Sequence, residues 1–139
     1  MVALSLALPA RAASRTPAPH GEAPLQLICV MAAAKGAIAP VQACALMRER
    51  LAEGLGRPVA LVGALPRRRP GDWISLRLDR QRPDSLAAHM QASFGGVITR
   101  LPEIGVDVQD RSLRASDLDR LARAVASAAQ GLATRRSPR

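Results

Sequence analysis

Cys29 and Cys44 are the residues whose type and spacing could support covalent chemistry. Their separation is far from the C-x-x-C of redox and zinc sites, so neither use is supported. Cys29 shares a strand face with Leu25 and Leu27, and Cys44 lies on the apolar stripe of a helix, which lets both point into one interface. A disulfide is expected; closing a loop of about 15 residues in an oxidising compartment would stabilise the fold by roughly 3 kcal/mol. The other reading is two buried thiols acting as small apolar side chains. Nucleophilic or acid–base chemistry needs a base beside its nucleophile, and His89 is the one histidine of the part expected to fold. Asp107 and Asp110 are near each other in sequence, and Asp79 could join them across a sheet. Asp107 and Asp110 are an odd number of residues apart, however, so along one strand they would face opposite sides. Asp107, Asp110 and His89 are too few and too scattered to predict a metal, and no Walker, Rossmann or G-x-S-x-G motif is present. No catalytic residue, metal or cofactor is therefore expected. Arg67, Arg68 and Arg69, bracketed by Pro66 and Pro70, read as a solvated loop that binds an anion or a partner, against the plainer reading of a charged turn with no partner.

The elements that must position these residues follow from periodicity. From Asp72 to Asp110 the chain reads as a β-meander and holds the only Trp and Phe. Ile74, Leu76 and Leu78 alternate with Trp73, Ser75, Arg77 and Asp79, the period of two of a strand with one buried face. Residues 80–85 supply turn chemistry, and Phe94-Gly95-Gly96 supplies a second turn in which glycine permits positive φ. Residues 85–93 fit a strand, although Leu86, Met90 and Phe94 would also share a helical face behind a Ser85 cap. Upstream, Leu25, Leu27 and Cys29 alternate with Gln26, Ile28 and Val30, giving a strand apolar on both sides that predicts cover on both. Pro40 opens a helix in which Cys44, Met47, Leu51 and Leu55 recur at three- and four-residue steps, and Gly54 or Gly56 ends it. Val59-Ala60-Leu61-Val62 is a second strand, parallel to the first by the right-handed crossover rule. A last helix is predicted with Ser116 as cap, Asp119 at the third position, Asp117 at the positive dipole end, and Gly131 as stop. The expected fold is α+β: a small mixed sheet, β-α-β followed by an antiparallel meander, covered by two amphipathic helices.

Composition bounds the function. The 139 residues carry a formal charge of +9, are 48% apolar and only 1% aromatic, and Lys35 is the single lysine. Such a balance suits anionic partners, although the arginines are dispersed and not gathered in one helical stripe. Met1 to Pro9 is an apolar run followed by the small-x-small pattern Ala10-Arg11-Ala12, which reads as a signal peptide over residues 1–12 that lacks a basic start. A disordered leader is expected over 13–23, a single domain over 24–132 and a basic disordered tail over 133–139. These features point to an exported, periplasmic or secreted, non-enzymatic protein that binds a protein or an anionic envelope component. The alternatives are a cytoplasmic arginine-rich nucleic-acid binder, against which the near absence of aromatics counts, and a small enzyme with its site near His89 and Asp107.

Overall fold

The computed structural model describes residues 24–31, 38–63, 71–82, 84–109 and 111–136. The signal peptide and leader expected over 1–23 lie outside them. The fold is α+β: a mixed six-stranded sheet with two helices packed on one of its faces.

β1 (Leu25–Met31) lies between two parallel neighbours, β2 (Val59–Leu61) and β3 (Trp73–Arg82), with Leu25 opposite Val59 and Leu27 opposite Ile74. The helix α1 (Pro40–Leu55) makes the crossover from β1 to β2. Pro40 stands in its first turn, where a missing N–H costs nothing, and Gly56 closes it at φ 66°, donating its N–H to the Ala52 carbonyl at 2.9 Å.

β3 turns into the antiparallel β4 (Ser85–Phe94), pairing Leu76 with Met90 and Leu78 with Ala88. Residues 85–93 form a strand because pairing on both edges satisfies their backbone while Leu86, Ala88, Met90 and Ala92 all fall on the core side. A two-residue turn, Gly95 and Gly96 at φ 62° and 83°, leads into β5 (Val97–Arg100). Both central residues have positive φ, the condition for a turn whose twist matches the hairpin. β6 (Ile104–Asp107) then pairs with the other half of the same β4 edge. β5 and β6 are thus one strand interrupted at Leu101, Pro102 and Glu103, which stand opposite His89 and Met90. Pro102 has no N–H to give the ladder, and the local excess of one residue makes a bulge.

The core lies between the sheet and the helices. Leu25, Leu27, Ile74, Leu76 and Leu78 meet Ala43, Met47 and Leu51 of α1 and Leu121, Val125 and Ala129 of the second helix, α2 (Ala115–Arg136). The opposite face of β1 is not covered as expected: Gln26 and Ile28 are half-buried and Val30 is 54% exposed, because both helices occupy the same side.

α2 departs from expectation at both ends. It begins at Ala115, so its cap position is Arg114 and its third residue is Asp117, two residues ahead of the predicted Ser116 and Asp119. It also runs through Gly131 to Arg136, beyond the predicted stop and into the segment expected to be a disordered tail. The reason is Leu132, which is buried and continues the apolar stripe of Leu118, Leu121, Val125 and Ala129; its burial offsets the roughly 1 kcal/mol that glycine costs in a helix.

The two helices pack tightly at Gly54, where an added Cβ would stand 3.1 Å from that of Ala126. A Gly54→Val variant is therefore expected to lose about 1–3 kcal/mol through overpacking, measured as a lower urea midpoint with an unchanged slope. Arg50 Nε reaches across the same seam to Asp119 Oδ1 at 2.6 Å, and Asp119 Oδ2 accepts from Arg123 Nε at 2.7 Å. These two guanidinium groups, Arg123 first, hold the Asp119 carboxyl below its usual range.

Candidate functional site

With the helices on one side, the other face of the sheet carries the alternate side chains: Trp73, Ser85, Ala87 and Ser93 are buried, Ser75, Asp79, His89 and Gln91 are half-buried, and Arg77 and Arg100 are exposed. Cross-strand register places them in rows: Ser75 opposite Gln91, Arg77 opposite His89, and Gln91 opposite Arg100. Ser75, Arg77, His89, Gln91 and Arg100 line a polar hollow of about 260 Å³ beside the interruption at Leu101. Three neighbouring strands supply the group, so its spacing is set by the hydrogen-bonded ladder rather than by a loop.

Asp79 lies on the same face and holds two members of the group. Its Oδ2 is 3.0 Å from His89 Nε2 and 3.3 Å from Arg77 Nη2. The His89 contact lies outside hydrogen-bond geometry, so it is an ion pair only when the imidazole is protonated. Arg100 is exposed and makes no ion pair among the described residues. The hollow thus presents two guanidinium groups, an imidazole, an amide and a hydroxyl, with one carboxylate at its margin. This set suits an oxyanion: the guanidinium forks match carboxylate or phosphate oxygens, and Gln91 and Ser75 add neutral donors.

His89 and Asp107 are not brought together. Asp107 pairs with Ser85, four residues along β4 from His89 and so about 13 Å away by strand rise. The carboxylate beside His89 is Asp79, which the period-two pattern had placed on its face without fixing the register. Asp110 and the expected partner-binding Arg67, Arg68 and Arg69 lie outside the described residues. Cys29 and Cys44 are joined in a disulfide with their Cα atoms 5.7 Å apart, tying β1 to α1. No group of three or more His, Cys, Asp or Glu side chains among the described residues is placed to hold a metal. Both aromatic rings, Trp73 and Phe94, are buried and offer no stacking face to a nucleobase.

Two ionic clusters escape sequence reasoning because their members are distant in sequence or sit in irregular segments. Asp72 accepts from Arg57 Nη1 at 2.9 Å and from the Gly95 N–H at 3.1 Å, fastening the end of the crossover to the glycine turn. Asp117 is 1% exposed and accepts from Arg111 Nη1 and Nη2 at 2.7 and 3.0 Å, from Arg120 Nη2 at 2.7 Å and from the Arg114 N–H at 2.8 Å. The Arg111 fork, then the Arg114 amide, hold its carboxyl far below the usual carboxylate range.

No protein-family model matches the chain, and no curated protein matches it. A solved structure described as that of an uncharacterized protein is similar over 82% of this chain and 92% of its own, at 14% identity and a TM-score of 0.46. No helix among the described residues is long and apolar enough to cross a membrane.

Proposed function

We propose that this is a small exported binding protein, without a catalytic role, that takes an anionic component of the envelope on the open face of its sheet. The observation that carries this reading is the hollow formed by Arg77, His89, Gln91 and Arg100 on three adjacent strands, backed by a packed helical layer. Preorganised donors on rigid strands lose little entropy on binding, and an uncompensated Arg100 provides the excess positive charge. The Cys29–Cys44 disulfide suits an oxidising compartment and so supports export.

The experiment is co-sedimentation of the full chain with phosphatidylglycerol vesicles across a salt series, with phosphatidylcholine vesicles as reference. Binding to the anionic vesicles is expected to fall as salt rises. An Arg77→Gln, Arg100→Gln double variant should bind roughly tenfold more weakly, since each surface cation contributes about 1 kcal/mol near an anionic leaflet and part of that is screened. A double variant as tight as the parent would show that the open face is not the binding surface.

A further inference from the structure

A second and larger recess lies on the opposite side of the molecule, in the helical layer. It is a groove of about 630 Å³ between the amino-terminal halves of α1 and α2. That volume falls in the range of roughly 300–1,000 Å³ typical of small-molecule sites. Its origin is local. The helices are in tight contact where Gly54 meets Ala126 and are tethered where Arg50 meets Asp119. Nearer their amino ends Ala45 and Ala115 are among the lining residues, and their small side chains leave space between the helices unfilled.

The lining is amphiphilic in a directional way. Ile38, Leu46, Leu113 and Leu118 form an apolar floor continuous with the protein core. Arg48 and Arg114 stand on the rim, both exposed, and neither guanidinium makes an ion pair among the described residues. Glu49, also exposed, is the rim's single acid, so its formal charge is positive by one. The amino end of α1 adds to this potential, since no side chain caps it and no acidic residue lies in its first turn. A wholly apolar ligand would gain nothing from either guanidinium, and a cationic one would be repelled.

We propose that this groove binds a single-chain anionic amphiphile, with its acidic head between Arg48 and Arg114 and its alkyl chain along Ile38, Leu46, Leu113 and Leu118. The site is separate from the open sheet face and does not depend on the function proposed for it.

The test is calorimetric titration of the full chain with dodecanoate below its micellar concentration, alongside 1-dodecanol and dodecyltrimethylammonium. Saturable binding of one dodecanoate per chain is expected, with decanoate about tenfold weaker for the loss of two buried methylenes. Arg114→Gln should weaken dodecanoate several-fold, while Glu49→Gln should strengthen it; the Arg114 backbone N–H that Asp117 accepts is kept in the first variant. Ala45→Trp, which fills the groove from a half-buried position on α1, should abolish binding with the circular dichroism spectrum unchanged. Arg77→Gln, Arg100→Gln should leave dodecanoate binding intact, which separates this site from the sheet face. Equal affinity for dodecanol, or unimpaired binding by a folded Ala45→Trp variant, would overturn the proposal.

Discussion

Replacement of Asp117 by asparagine is expected to lower the melting temperature by on the order of 10 °C, the largest fall from any single polar change among the described residues. The carboxylate is almost fully buried and accepts four hydrogen bonds, two of them from the Arg111 fork. Asparagine keeps the shape but has one acceptor oxygen in place of two, and its NH₂ would face guanidinium donors. What is lost is also positional. The Arg114 N–H at the cap of α2 bonds to Asp117, so the same residue starts the helix and fastens the Arg111 segment that leads into it. The charge makes the effect depend on pH. Because the folded carboxyl is held well below the ordinary range, the native state binds this proton less readily than the unfolded chain does. Its stabilising contribution is therefore fully present above the unfolded carboxyl pKa of about 3.9 and is lost as pH falls toward the folded value. Urea midpoints should differ widely between parent and Asp117→Asn at pH 7 and come closer together at pH 3. An equal gap at both values would show that the carboxylate's charge contributes nothing and that only its shape matters.

Asp117 also marks where sequence reasoning stops. The period of two in residues 73–79 named the side chains that share the open face, and the three- and four-residue steps of α1 named Cys44, Met47 and Leu51 as its inner stripe. Those patterns are local, and local patterns survive folding. Register is not local: the sequence points to Asp107 as the carboxylate near His89, with Asp79 only able to join from across the sheet, and the pairing of Arg77 with His89 and of Asp107 with Ser85 reverses that order. Helix ends were misplaced for a related reason. Ser116 with Asp119 makes a plausible cap in isolation, yet Asp117 has an arginine fork from outside the helix to satisfy it, and this tertiary partner moves the start two residues earlier. At the other end, burial of Leu132 outweighs the breaking tendency of Gly131. The groove between the helices was invisible because it depends on what is missing: the small size of Ala45 and Ala115 matters only once α1 and α2 lie side by side.

Removing the Cys29–Cys44 disulfide is expected to destabilise the protein by roughly 3 kcal/mol, the chain-entropy value for a closed loop of about 15 residues. Such a loss lowers the ratio of folded to unfolded molecules more than a hundredfold. The bond spans the first crossover, fixing α1 on β1, where the parallel β2–β1–β3 arrangement needs a long connection closed before its contacts form. Two perturbations separate the cross-link from packing. Reduction of the parent keeps both sulfur atoms in place, whereas a Cys29→Ala, Cys44→Ala double variant also removes their volume. Because Cys44 is nearly buried and Cys29 only half so, the two should agree within about 1 kcal/mol, both well below the oxidised protein in denaturant midpoint. The same chemistry bears on where the protein works. Intact mass measured on material from its native cells, before and after reduction and alkylation, should show both cysteines blocked until reduced, together with loss of about the first twelve residues. Free thiols on an uncleaved chain would remove the support for export, because a bond worth a hundredfold in folding would then be one the cell never forms.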